Sequence, residues 1–287
     1  MNRQEVRRLL AAHGLRPRKG LGQNFLVDET ALQRIAETAE IAPHETVVEI
    51  GPGLGALTEH LLARAEHVIA IELDANMVAI LRERFGAQPH FHLVEGDVLE
   101  QNIPALVQHL TGQPRYKVTA NLPYYITSAA IRHLLESQPT PDLIVLLVQR
   151  EVAERIVAQP GAMSLLAVSV QVYGTPSLVA RVPAGAFYPP PKVESAILKI
   201  VPHARPHVRP EEAEQFFRLV RAGFHQKRKQ LRNTLSAGLH LPKEETDRLL
   251  QAAGIQPSQR AETLSIDDWR RLFDVWRAHQ EGSASSK

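Results

Sequence analysis

Thr46-Val47-Val48-Glu49-Ile50-Gly51-Pro52-Gly53-Leu54-Gly55-Ala56 decides the fold. The β-branched run at its start reads as a strand, and residues 56–64 behind it read as a helix. Between them, glycines permit positive φ and let a backbone approach a ligand with no Cβ in the way. The helix adds the positive end of its dipole. With Ala56 as third small residue, the run fits the dinucleotide fingerprint G-x-G-x-x-G/A, and S-adenosylmethionine fits the same turn. Glu72 closes the next strand, residues 68–72, where an acid meets ribose hydroxyls. Both cofactors carry that ribose, so Glu72 leaves the choice open. Pro52 lacks the N–H that a pyrophosphate would use, and Glu49 puts a carboxylate beside the turn. A carboxylate suits a cationic sulfonium and ammonium, so these two residues favour the methyl donor.

Outward from this unit, strands are expected at residues 91–94, 118–120, 143–148, 165–173 and 193–200, with helices at 75–85 and from 128. Residues 143–148 are a continuous apolar run, as in a central strand buried on both faces. Alternating strands and helices predict an α/β, doubly wound, mostly parallel seven-stranded sheet. Helices are also expected at 3–13 and from an Asp28 cap onward. The proline-rich stretch 202–210 reads as a linker. Beyond it the pattern is helical only: a run with Phe216 and Phe217, then 227–239, 244–253 and 266–278, with Gly254 as a stop and Ser265 with Asp268 as a capping box. The expected division is a catalytic domain at 1–202, a small all-helical domain at 203–280 and a disordered tail at 281–287.

Asn121-Leu122-Pro123-Tyr124 follows a strand, and open α/β sheets bind ligands at the carboxyl ends of their strands. Pro123 fixes its own φ and biases Leu122 away from helix. The Asn121 side chain and the Leu122 carbonyl then supply acceptors beside the flat ring of Tyr124. Such a set can hold an exocyclic amine on a base. The same four residues would also serve as an ordinary turn.

The chain has 287 residues, 44% of them apolar, and no cysteine, which excludes disulfides, thiolate nucleophiles and cysteine-ligated zinc. A reducing cytoplasm is compatible with that. No apolar run reaches membrane-spanning length, and the basic N-terminus lacks the apolar stretch of a secretory signal. The 13 histidines form no convincing metal set. Net charge is only +2, but two basic clusters stand out: Arg3, Arg7, Arg8, Arg16, Arg18 and Lys19, and Lys227, Arg228, Lys229 and Arg232. Local clusters favour phosphate contacts, and the second is expected to meet RNA.

In order along the chain stand Gly22-Gln23-Asn24-Phe25-Leu26, the Glu49–Gly55 turn, Glu72, Asp97, Asn121-Leu122-Pro123-Tyr124 and Phe187-Tyr188-Pro189-Pro190-Pro191-Lys192-Val193. From about Arg16 to Phe273 the chain resembles the ribosomal RNA adenine dimethyltransferases, most closely the small-subunit branch, which forms two adjacent N6,N6-dimethyladenosines near the 3′ end of 16S rRNA. The resemblance implies a Rossmann-like class I methyltransferase fold using S-adenosylmethionine. It further implies that Asn24, Leu26, Gly51, Glu72, Asp97 and Asn121 contact the donor, and that Tyr124 and Phe187 enclose the target adenine. Gln23, Glu49 and Gly53 join the expected donor set. The partner implied is 16S rRNA in the small subunit or its precursor, met by a cytoplasmic monomer. Tyr125 departs from the Asn of many members, with an effect expected on loop packing more than on activity. The rival readings are a ribosome-assembly factor in which methylation is secondary, a nicotinamide oxidoreductase and a DNA adenine methylase.

Overall fold

The computed structural model describes residues 1–18 and 22–284. Lys19 of the first basic cluster and the tail residues 285–287 lie outside them.

The helix α1 (Arg3–Ala12) starts at a capping box in which the Asn2 side chain accepts from the backbone of Gln4 and Glu5 while Glu5 accepts from Asn2 N–H. The short strand β1 (Phe25–Leu26) leads to α2 (Glu29–Thr38), capped by Asp28 through the Ala31 N–H at 2.8 Å. Such a cap contributes about 1 kcal/mol. The alternating core then runs β2 (Thr46–Ile50), α3 (Ala56–Leu62), β3 (His67–Glu72), α4 (Ala75–Phe85), β4 (Phe91–Glu95), α5 (Ile103–Thr111), β5 (Lys117–Asn121), α6 (Thr127–Glu136) and β6 (Leu143–Gln149). After α7 (Arg150–Ile156) and α8 (Leu165–Gln171) come β7 (Gly174–Val182), β8 (Phe187–Tyr188) and β9 (Ser195–Pro202). Helices α9 (Ala213–Phe224), α10 (Leu231–Leu239), α11 (Lys243–Ala252) and α12 (Ile266–Ala284) complete the chain.

The seven-stranded sheet has the order β4-β3-β2-β5-β6-β9-β7. Strands β4, β3, β2, β5 and β6 pair in parallel, and β9 runs antiparallel to β6. Every residue of β2 is buried, and so is all of β6 but its last, because helices cover both faces. The order reverses between β2 and β5, whose register sets Ile50 against Ala120. That reversal is the switch point at which doubly wound sheets open a crevice. The glycine turn after β2 and the Asn121 loop after β5, some 70 residues apart in sequence, are therefore neighbours.

Several expectations need correction. Residues 165–173 are not a strand: they form the helix α8 to Gln171 and then a turn, and the helix is started by Ser164, whose hydroxyl accepts from Ala167 N–H. The seventh strand is instead β7, half-exposed along much of its length and without the alternation that marks a strand in sequence. Residues 227–230 form a turn, in which Lys229 N–H reaches the Gln226 carbonyl, and α10 begins only at Leu231. The α12 helix continues through Ala284, so residues 281–284 are helical and not a tail.

The chain divides into two compact units, Met1–Ala153 with Thr175–Pro202, and Glu154–Gly174 with His203–Lys287. The expected boundary at 202 thus leaves out the excursion through α8. In the second unit the linker stretch is pinned: His203 N–H and His207 N–H bond to the Tyr173 and Val172 carbonyls at 2.8 and 2.9 Å. Buried Glu212 collects Arg209, Arg270 and Arg277, and the contacts with Arg209 and Arg270 hold its carboxyl well below the usual range. The Ser265–Asp268 capping box forms, with Asp268 N–H on the Ser265 hydroxyl at 3.1 Å.

Candidate active site

Positive φ at Gly51, Gly53 and Gly55, at 66°, 57° and 82°, bends the chain sharply out of β2. The bend leaves a pocket in the first unit, floored by this turn and walled by β1 with the residues just before it and by the residues after β3 and β5. A Cβ at Gly51 would meet nothing nearer than the Asn121 carbonyl oxygen, at 3.9 Å, so the cradle there is open. Gly55 is glycine for another reason: a Cβ there would run into the Phe85 ring.

Glu49 is 2% exposed inside an apolar strand. The Thr58 hydroxyl donates to one of its oxygens at 2.6 Å. Burial pushes its carboxyl up to about 8; the Thr58 bond opposes the rise and the nearby Glu72 adds to it. Glu72, also buried, accepts the backbone N–H of Gly53 at 3.0 Å and of Asp74 at 2.9 Å. Burial raises its carboxyl too, against those two bonds. Asp74 joins them in the wall and accepts from the Gln23 side chain at 2.8 Å.

On the opposite side, the Asn121 amide donates to the Asn24 carbonyl at 3.2 Å. That bond fixes which end of the amide is the acceptor, and among the described residues no hydrogen bond engages Oδ1. Among the described residues, no hydrogen bond reaches the Leu122 carbonyl. The Tyr124 hydroxyl lies 3.0 Å from the Ser195 hydroxyl, and burial raises its pKa. Phe187 is 1% exposed and lines the pocket. Strand β8 pairs antiparallel with β1, Leu26 against Phe187 and Phe25 against Tyr188. This two-stranded ribbon ties the Gln23–Leu26 motif to the Phe187 motif across 160 residues of chain.

The structure thus gathers Gln23, Asn24, Leu26, Glu49, Gly51, Gly53, Glu72, Asn121, Leu122, Pro123, Tyr124 and Phe187 around one pocket. Asp97 is not in its lining; its carboxylate caps a short 3₁₀ turn through Leu99 N–H at 2.9 Å. Sequence reading missed Asp74, Leu73 and the α1 residue Val6, which also line it. Asp74 had a signal, a helix-capping position beside Glu72, whereas Val6 had none. Of the second basic cluster, Lys227, Arg228 and Lys229 are exposed. Arg232 is set apart, paired to Asp247 at 2.6 Å.

The donor set decides the ligand class. Three carboxylates, Glu49, Glu72 and Asp74, line the pocket, and among the described residues no Lys, Arg or His side chain does. A diphosphate would be disfavoured beside these acids, while a cationic sulfonium and ammonium would be held, with Glu49 giving up its proton as the cation binds. The switch-point crevice and this chemistry define a Rossmann-like class I, S-adenosylmethionine-dependent methyltransferase.

Comparison with known proteins narrows that class. The family "Ribosomal RNA adenine dimethylase" matches residues 14–277. A protein of Dehalococcoides mccartyi named ribosomal RNA small subunit methyltransferase A is 48% identical over 95% of this chain and 92% of its own. Its namesake from Moorella thermoacetica is 46% identical over 92% and 94%. Among solved structures, a dimethyladenosine transferase from Plasmodium falciparum aligns with TM-score 0.76 at 27% identity, covering 90% of this chain and 98% of its own. The 23S rRNA methyltransferase ErmE aligns at 0.69 and 30%, covering 88% and 99%. The chain belongs to the ribosomal RNA adenine dimethylase family, and it is an S-adenosylmethionine-dependent rRNA adenine dimethyltransferase.

Proposed function

We propose that the protein dimethylates N6 of two adjacent adenosines near the 3′ end of 16S rRNA, on the small ribosomal subunit or its precursor, as a cytoplasmic monomer. The small-subunit choice rests on the two relatives named for that subunit, at 46–48% identity against 30% for the 23S enzyme. The observation that carries the chemistry is the pairing of a carboxylate-lined donor wall with two unengaged acceptors at Asn121 and Leu122.

S-adenosylmethionine, when bound, supplies an electrophilic methyl group on a sulfonium. Glu49 and Glu72 hold cationic and ribose groups, and Gly51 and Gly53 let the backbone approach. The adenine amine is a poor nucleophile because its lone pair is delocalised into the ring. Asn121 Oδ1 and the Leu122 carbonyl accept its two hydrogens, localise that pair and aim it. Tyr124 and Phe187 face the base, each worth about 1–3 kcal/mol of stacking. The target must leave its stack to reach them. No strong base is needed, since the methylated ammonium formed is acidic. Acceleration comes from positioning and electrostatics.

The test uses small subunits from a strain lacking the modification, incubated with the protein and donor. Primer extension should then stop at two adjacent adenosines near the 16S 3′ end. Subunits left unmodified would overturn the reading. In the same assay Asn121→Ala should lose about 10²–10³-fold in turnover, as for removal of one preorganised polar group. Its circular dichroism should match the wild type, and near-normal turnover would refute the acceptor role.

A further inference from the structure

The loop after β5 ends in a residue that the reaction above does not use. Tyr125 lines the same pocket as Tyr124 and Phe187, yet it is 62% exposed, the most exposed of the large apolar side chains that stand out on the surface. The three rings form a gradient from Phe187, fully buried, through half-buried Tyr124, anchored on Ser195, to Tyr125 at the rim. Among the described residues, no hydrogen bond engages the Tyr125 hydroxyl.

The backing of the ring is a glycine. Gly22, at φ 64°, would place a Cβ 3.9 Å from the ring's Cδ1 and 3.5 Å from Pro123. That turn is stapled to the first basic segment: Gln23 N–H bonds to the Arg18 carbonyl at 3.3 Å, and Arg18 N–H bonds to Gln23 Oε1 at 2.8 Å. Exposed Arg18, whose guanidinium lies 3.6 Å from Asp74 of the pocket wall, therefore stands beside the turn that backs the ring, and exposed Arg16 precedes it by two residues. An aromatic plate beside cationic side chains is the composition of a single-stranded nucleotide subsite.

We propose that Tyr125 stacks the nucleotide next to the target adenosine. The inference rests on the reading that this pocket takes an everted adenine. Eversion strips the neighbouring base of a stacking partner, and Tyr125 replaces it at the pocket mouth. The ring thus positions the strand, without touching the donor or the reacting amine.

The test compares wild type, Tyr125→Ala, Tyr125→Phe and Tyr125→Trp on unmodified small subunits, with calorimetry of S-adenosylhomocysteine alongside. Tyr125→Ala should lose about 10-fold or more in kcat/KM for the subunit while its affinity for S-adenosylhomocysteine stays within 2-fold. Tyr125→Phe and Tyr125→Trp should restore most of the loss, which a hydroxyl-specific role would not allow, while the retained affinity for S-adenosylhomocysteine excludes a general loss of structure. An alanine variant as active as wild type, or one that also loses the small ligand, overturns the assignment. Inactivity of the wild type itself would instead strike the underlying reading of the pocket.

Discussion

At the residue scale, Glu49 is a buried carboxyl that costs stability as pH rises. Its carboxyl titrates near pH 8 in the folded protein because burial disfavours the charge, and near the ordinary carboxylate range when unfolded. The folded value is raised, so the group's contribution to stability is complete below about pH 4.5 and is lost as pH rises toward about 8. The loss runs at about 1.4 kcal/mol per pH unit. Glu49→Gln should therefore be more stable than wild type in urea melts at pH 7.5 and nearly equal at pH 4.5. It should also lose at least 10-fold in donor affinity, because a neutral amide cannot hold a cation. In wild type, donor binding should release a proton and strengthen as pH rises to about 8. Calorimetry in buffers of different ionisation enthalpy reads that proton directly, and a pH-independent affinity would refute the role. Glu49 was legible in sequence because an acid inside Thr46–Ile50 breaks an apolar strand next to a glycine turn. Its partner Thr58 was not, since that contact depends on how α3 folds back over β2. Asp97 was assigned to the donor from its place after a strand and from the resemblance, and the local bond to Leu99 N–H shows what else an aspartate there does.

At the element scale, the strand–turn–helix unit was readable because each part carries a different local signal. The run at 165–173 was not, because a short apolar stretch has no period long enough to tell a helix from a buried strand. Ser164 was the missed cue. The β1–β8 ribbon, two residues on each side, lies below the length at which any pattern exists, yet it brings Phe187 to the pocket. The turn itself makes a prediction that separates packing from binding. Gly55→Ala puts a Cβ into the Phe85 ring and within 3.1 Å of Leu81, at a φ of 82°. It should cost about 1–3 kcal/mol of stability, seen as a lower urea midpoint. Gly51→Ala meets no atom closer than 3.9 Å. It should keep most of its stability, less about 1 kcal/mol for positive φ, and lose donor affinity because its methyl fills the cradle. Equal melts for the two variants would show that the turn's glycines serve one purpose.

At the scale of the whole molecule, 33 basic and 31 acidic side chains nearly cancel, so any attraction to RNA must come from where the charges lie. The turn before α10 concentrates Lys227, Arg228 and Lys229, all exposed, in three consecutive positions. A helix would have spread them around its axis; the turn keeps them together. Arg232 belongs to a different arrangement. Its guanidinium meets Asp247, and Arg232 Nε and Asp247 Oδ1 are buried with no hydrogen-bond partner. Neutralising Lys227, Arg228 and Lys229 together should reduce the slope of log affinity for 16S rRNA against log salt by about 2–3, since each phosphate contact contributes about 0.7–0.9. Thermal stability should be unchanged. Arg232→Ala should do the reverse, leaving the slope within error and lowering the melting temperature, because it strands Asp247 in a partly buried site. A triple variant with an unaltered salt slope would mean that these three cations face only water, and a reduced slope for Arg232→Ala would return that residue to the RNA surface.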